Sequence, residues 1–343
     1  MRFTTVILLT LLTSMTSCGK SNNKPTDKAP SGLVVKATVS EDGSGVVLFS
    51  ATASNAVSYE YDFGNGSYQT VASGNVNYTY TLPGNNTYTV KVTATSAGGQ
   101  TASASIQVTV DLSLKLYWSD EFSVNGQPDA SKWGYDTGTG NNGWGNAEAQ
   151  YYTNRPENVM VADGKLKITA IRENYNGSAY TSTRLLTKDK FDFKYGRIEV
   201  SAKLPTGGGT WPAIWMLGSN ISSAGWPASG EIDIMEHKGN EPGKIYGTLH
   251  YPGHSGAGGE GSQVMIKDVS TTFHKYVAEW SPADIRFYVD GRLYYTFSNN
   301  SSTPFNQSFF VLLNFAMGGY FGGSIDPTFT SSTFEVDYVR VYK

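Results

Sequence analysis

Residues 230–237 read Gly230-Glu231-Ile232-Asp233-Ile234-Met235-Glu236-His237. Acidic and branched apolar side chains alternate from Glu231 to Ile234, which is the period of a half-buried β-strand. Glu231 and Asp233 then share one face, while Glu236, five positions from Glu231, falls on the other. A helix fits worse, because Gly230 opens the run and residues 231 and 236 lie on different faces at 3.6 residues per turn. A bulge near Ile234 or Met235 drops one residue out of the ladder and returns Glu236 to the face of Glu231 and Asp233. Without it the stretch is a plain strand, with Ile232 and Ile234 in a core and its acids in water. The strand pattern alone leaves both readings open.

The bulged reading carries chemistry. Two carboxyl groups working on one bond are the equipment of glycoside hydrolysis, and retaining enzymes hold them about 5 to 5.5 Å apart. Four effective strand steps separate the two glutamate Cα atoms by roughly 13 Å, so the side chains must lean together over a concave sheet.

The 343 residues, 16% charged and 39% hydrophobic, describe a soluble globular chain with room for two domains. A net charge of −3 without any run of Lys and Arg leaves no electrostatic footprint for nucleic acid. A neutral polymer is the more natural partner.

Arg2, the apolar run at residues 6–12 and the small residues up to Ser17 read as an export signal, too short to span a membrane as a mature helix. The single cysteine, Cys18, rules out a disulfide within the chain. With the preceding Ser14-Met15-Thr16-Ser17 it resembles the lipobox of bacterial lipoproteins. That resemblance implies a signal peptide over residues 1–17, acylation of Cys18 and an exported protein anchored to a lipid membrane, at the outer membrane or cell surface. An ordinary secretory signal cut near this point, or a buried thiol, is the plainer alternative. Residues 18–31 are polar, with two prolines, and are expected to form a flexible tether.

From residue 32 to 110, alternating runs at 34–39, 45–51 and 87–95 are separated by Gly, Asn and Pro turns, the signal of a small β-sandwich. Tyr61-Asp62-Phe63-Gly64-Asn65-Gly66-Ser67, followed by Tyr78, Tyr80 and Tyr88, resembles the PKD domain, an immunoglobulin-like module. That resemblance implies a spacer, or less often a glycan-binding unit. All seven tryptophans lie beyond residue 114, which places a boundary near 113–116. Strand-like stretches at 165–171, 196–202, 275–280, 285–289 and 334–342, with no long amphipathic helix, make residues 115–343 a second all-β domain built as a two-sheet sandwich.

Within it, Tyr195-Gly196-Arg197-Ile198-Glu199, Trp211-Pro212-Ala213-Ile214-Trp215-Met216-Leu217, Trp226-Pro227, the 231–236 acids and Thr248-Leu249-His250 together resemble family 16 glycoside hydrolases, especially laminarinase-like endo-β-1,3-glucanases. The resemblance implies a β-jelly-roll with a concave sugar cleft and the bulged form of the acidic strand. It implies Glu231 as nucleophile, Glu236 as general acid/base, and Asp233 between them tuning Glu231 and holding a shared proton. Glu236 must then start protonated and Glu231 ionised, a split that repulsion between neighbouring carboxylates helps create.

The same resemblance places Trp215 and Trp226 against sugar rings, and His250 near the acid/base, on Glu236 or the substrate, with a structural histidine as the plainer alternative. Trp211 shares strand parity with Trp215, as a further sugar contact or a deeper residue. Asn146 and Glu148, in the 143–153 segment, would face the non-reducing side of the cleft, with Arg184 and Asn314 as further polar contacts; either of these last two could instead be structural. Trp118, Trp133 and Trp280 are left to the core. The glycine-rich stretch at 252–262 lacks the Gly-Lys-Ser/Thr ending of a phosphate loop and reads as a mobile loop at the cleft edge, or a disordered one. Many family members bind one structural calcium away from catalysis, and the matching residues are Glu121, Gly164 and Asp337. No cofactor is implied for catalysis.

The expectation is therefore a monomeric, lipid-anchored retaining β-glucanase on β-1,3 or mixed-linkage glucan. Agar, porphyran or carrageenan hydrolysis on the same fold is an alternative, as is a glycan-binding lipoprotein without catalysis.

Overall fold

The computed structural model describes residues 3–6, 27–40, 43–82, 84–112 and 114–343, which divide into two compact units at Leu114 and Lys115. Cys18 and most of the export signal and tether lie outside the described residues. The tether ends earlier than expected: Asp27 accepts from Ser96 Oγ at 2.5 Å and from Gln100 Nε2 at 2.9 Å, and strand begins at Ser31. Phe3–Val6 pairs as an edge strand with Ser31–Ser40.

The first unit is a sandwich of two four-stranded antiparallel sheets. The tyrosines that mark its sequence are core residues. Tyr61 and Tyr80 are buried, and their hydroxyls donate to the carbonyls of Gly74 at 2.6 Å and Phe63 at 2.9 Å. Phe63 stacks on Tyr78 with 3.8 Å between centroids, and Tyr80 on Tyr88 with 4.0 Å. A buried hydroxyl must find an acceptor, so each tyrosine ties a turn to the core as well as filling it.

The second unit packs a seven-stranded sheet on a ten-stranded one. The seven strands run in the order Gly134–Asp136, Arg184–Leu186, Phe309–Met317, Thr210–Gly218, Glu231–His237, Lys244–His250 and Glu260–Met265. In the other sheet Ser331–Tyr342 is central, flanked by Lys165–Tyr175 and Gly196–Lys203. Helices are confined to single turns such as Ile221–Ala224 and Gly319–Gly322; no helix among the described residues is long and apolar enough to cross a membrane. Trp133 and Trp280 are buried, and Trp118 stacks on Phe191 against the core.

Between the sheets, Ile232, Ile234 and Met235 join Ile214, Met216, Leu313 and Phe315 from neighbouring strands and Ile198, Val200 and Phe287 from the opposite sheet. Each buried Ile contributes about 1.5–3 kcal/mol. That burial fixes which way the acidic strand faces. Thr210–Gly218 and Phe309–Met317 are buried on both faces, because Ala213, Trp215, Leu217, Phe310 and Leu312 form a second apolar cluster on the side away from the main core.

Candidate active site

The acidic strand is bulged where the chemistry needs it. Against Thr210–Gly218, Ile214 pairs with Met235 but Trp215 pairs with Asp233, leaving Ile234 as the extra residue. Against Lys244–His250, Asp233 faces Thr248 and Glu236 faces Tyr246, so two residues oppose Gly247 alone. The ladder slips by one and all three acids share a face. Two features of the surroundings hold the bulge. Tyr294, from the opposite sheet, donates its hydroxyl to the Ile234 carbonyl at 3.5 Å. Gly247 leaves room for it: a Cβ there would lie 2.4 Å from the Tyr294 hydroxyl and 2.6 Å from Phe287.

Each glutamate is held by a different tryptophan. Trp226 Nε1 donates to Glu231 Oε2 at 3.0 Å, and Trp211 Nε1 donates to Glu236 Oε1 at 3.0 Å. Thr248 Oγ1 lies 3.4 Å from the second Glu236 oxygen. Trp226 is 48% exposed and offers its ring to a ligand, whereas Trp211 is buried, so its role is to position Glu236 more than to stack sugar. Of the two contacts expected for His250, the one with Glu236 is not made: its Nε2 lies 3.2 Å from Asp233 Oδ2 and 3.9 Å from Glu231 Oε1, on the Glu231 side of the cluster.

Glu231, Asp233 and Glu236 are each pushed up to about 8, chiefly by burial, and the charge of Asp233 contributes to the rise of both glutamates. Opposing this, His250 pulls both glutamates down, as do Arg184 on Glu231 and the donations of Trp211 and Thr248 to Glu236. The unliganded cluster therefore retains protons at neutral pH. Burial raises both glutamates alike, while their neighbours differ: Arg184 lowers Glu231, and the donations of Trp211 and Thr248 lower Glu236.

Beside the acids the remaining polar residues form one brace. Trp215 Nε1 donates to Asn314 Oδ1 at 2.7 Å, Asn314 Nδ2 to the Tyr152 hydroxyl at 2.9 Å, and that hydroxyl to Glu148 Oε2 at 3.0 Å. Glu148 also accepts from Gln150 at 2.7 Å and Asn146 at 3.2 Å. Arg184 pairs with Asp136 at 3.1 Å and lies between the rings of Trp144 and Trp215, 4.6 and 4.8 Å from their centroids. Asn314 and Arg184 thus both brace Trp215, which is 8% exposed. Tyr152, Gln150, Thr248 and Asp136 were not singled out by sequence, although strand parity with Glu148 and His250 points to the first three.

The glycine-rich stretch is packed only at its end: residues 260–262 open the strand Glu260–Met265 and a Cβ at Gly259 would lie 2.5 Å from the His250 ring, whereas Gly253, Gly256 and Gly258 are exposed with open space around them. Of the residues matched to a structural calcium, the Glu121 side chain is taken up by a cation of the protein itself. Both oxygens of Glu121 accept from Arg340, at 2.9 and 2.8 Å, and Asp337 has Ser201 Oγ at 3.5 Å. With Glu121 neutralised by a guanidinium, its side chain does not fit a cation ligand beside Gly164 and Asp337.

Two family models match the chain: glycosyl hydrolases family 16, over residues 146–340, and beta-glucan synthesis-associated protein SKN1/KRE6/Sbg1, over residues 50–232. The second match stops before Asp233 and Glu236. A beta-glucanase of Rhodothermus marinus is 46% identical over 245 residues, covering 67% of this chain and 85% of its own. Glucan endo-1,3-beta-glucosidase A1 of Niallia circulans is 40% identical over 260 residues, covering 67% of this chain and 38% of its own. Among solved structures, the laminarinase from Rhodothermus marinus superposes with a TM-score of 0.64 at 46% identity, covering 67% of this chain and 97% of that one.

Proposed function

The chain belongs to family 16 of the glycosyl hydrolases, and from that membership we propose that it is a retaining endo-β-1,3-glucanase acting on laminarin-like or mixed-linkage β-glucan. It is a glycoside hydrolase whose relatives carry the names beta-glucanase, glucan endo-1,3-beta-glucosidase and laminarinase. The observation that carries the reading is the bulge at Ile234, which sets Glu231, Asp233 and Glu236 on one face beside Trp226 and Trp211.

Glu231 attacks the anomeric carbon through Oε1, since Oε2 is held by Trp226. The glycosidic C–O bond breaks as Glu236 gives its proton to the departing oxygen. Water then loses a proton to Glu236 and displaces Glu231, restoring both groups with the original anomeric configuration. The protons and electron pairs balance on two glutamates and a water, so these steps need no cofactor. Asp233, buried between the glutamates, raises both and favours a shared proton in the resting site. Ionising Glu231 alone is the work of bound substrate, which covers Glu236 and leaves the nucleophile with Trp226, His250 and Arg184.

The eight-stranded sandwich with its buried tyrosines supports a PKD-like spacer for the first unit. Export and acylation at Cys18 complete the proposal and rest on the sequence of residues 2–18. Loss of the signal would remove Phe3–Val6, leaving Ser31–Ser40 as the sheet edge.

The test is purified protein against laminarin, mixed-linkage glucan, curdlan, agarose and carrageenan, reading reducing ends and product size. Internal cleavage of laminarin or mixed-linkage glucan is expected. Cleavage of agarose or carrageenan alone, or binding without cleavage, contradicts the reading.

A further inference from the structure

We propose that Glu231, Asp233 and His250 form a binding site for one divalent transition-metal cation, with zinc the best fit, and that occupancy reversibly blocks the nucleophile. Among the described residues these three offer ligand atoms that all lie within 4.8 Å of one another. His250 Nε2 is 3.2 Å from Asp233 Oδ2 and 3.9 Å from Glu231 Oε1. Zinc bonds of about 2.0–2.2 Å in a tetrahedron set ligand atoms roughly 3.3–3.6 Å apart. The two separations from His250 bracket that edge and the third lies within 4.8 Å, so side-chain adjustments of about an ångström close the site.

A second observation points to a ligand. Asp233 is 4% exposed, and its Oδ2, which faces His250 Nε2, has no hydrogen-bond partner. A buried carboxylate oxygen without a donor is costly and is relieved by a proton or a cation. Glu231 contributes on the same side, because Trp226 holds Oε2 and leaves Oε1 toward His250. One imidazole nitrogen and two carboxylate oxygens suit zinc, whereas calcium and magnesium want more oxygens. His250 Nδ1 is buried without an acceptor, so the site lacks an outer-shell contact of the kind that typically adds 10–100-fold in affinity. It is therefore a weak, reversible site.

Protons and metal compete for the same three groups, so binding strengthens as pH rises. The metal takes the Glu231 lone pair that attacks the sugar, which makes inhibition competitive with glucan. This consequence rests on the hydrolase reading; the site itself rests on geometry.

The experiment titrates the full chain, free of affinity tags, with zinc chloride by calorimetry in a non-chelating buffer near neutral pH, alongside laminarin hydrolysis by the same preparation. One site per chain, reversed by EDTA, is expected. His250→Gln and Asp233→Asn should each weaken it at least tenfold. His274→Gln, which breaks the separate cluster where His274 Nδ1 lies 2.7 Å from Asp290 and Nε2 3.6 Å from Asp268, should leave it intact.

No binding by folded wild-type protein, or binding lost only with His274→Gln, overturns the site. Should the His250 and Asp233 variants fail the near-UV circular dichroism check for folding, wild-type kinetics decide. Zinc inhibition competitive with laminarin supports the site, and inhibition that laminarin does not relieve overturns it. Hydrolysis without zinc binding removes the site and spares the enzyme; zinc binding without hydrolysis of any glucan does the reverse.

Discussion

The indole N–H of Trp211 donates to Oε1 of Glu236 at 3.0 Å. An indole nitrogen can only donate, so the oxygen facing it is bare and an acid proton on Glu236 is left to Oε2, which also accepts from the Thr248 hydroxyl. Trp211→Phe keeps a ring and removes the donor. Because a hydrogen bond to a charged group is worth about 1.5–3 kcal/mol, kcat should fall roughly tenfold or more, with KM changed less than about twofold. Losing a donor that holds Glu236 down also moves the basic limb of the pH–rate profile upward. A limb that stays in place contradicts the pairing.

Trp226 has two tasks that substitution can separate, since its ring is 48% exposed and its N–H holds Glu231. Trp226→Ala should raise KM roughly two- to tenfold, the range of an aromatic contact, and lower kcat as well. Trp226→Phe should restore KM but not kcat. Steady-state kinetics on laminarin checks this, and recovery of both parameters would leave the hydrogen bond without a role.

The buried acids make stability depend on pH. Their folded values of about 8 lie above those of an unfolded carboxyl, so the folded state holds more protons through that window. Stability must fall as pH rises from about 4.5 to 8. Glu236→Gln removes one such group and should raise Tm at about pH 8 by a few degrees relative to wild type, with little change near pH 4. His237 acts oppositely: burial lowers it to about 4, so its contribution is lost as pH falls from about 6.5 toward 4. Calorimetric melts across pH read both, and a Glu236→Gln variant less stable than wild type at high pH contradicts the first.

Gly247 is the tightest point behind the bulge. Gly247→Ala brings a methyl group 2.4 Å from the Tyr294 hydroxyl, an overpacking that costs about 1–3 kcal/mol. Tm should drop by several degrees and activity with it, because the Ile234 carbonyl contact is disturbed. An unchanged Tm would mean that this contact does not support the strand.

How much of this was legible in sequence depends on whether the determinant is local. The strands were legible from alternation: 165–171 became Lys165–Tyr175, and 334–342 became Ser331–Tyr342. The bulge was only one of two readings, because what secures it comes from Gly247 on the next strand and Tyr294 on the other sheet. Asn314, Arg184 and Glu148 were recognisable as polar residues of the right segments. Whether such a residue touches sugar or braces a tryptophan depends on partners more than a hundred positions away, as for Asn314 and Tyr152. The Arg340 partner of Glu121 was out of reach for the same reason, since nothing near Glu121 in sequence announces it.

The central claim, that Glu231 is the nucleophile and Glu236 the acid/base, is tested most directly by azide rescue of Glu231→Ala and Glu236→Ala on an activated aryl β-glucoside, with the product anomer read by proton NMR. The account predicts an α-glycosyl azide from Glu231→Ala, by direct displacement from the vacated face. It predicts a β-glycosyl azide from Glu236→Ala, through a glycosyl-enzyme on Glu231. The opposite pairing of variant and anomer would contradict it.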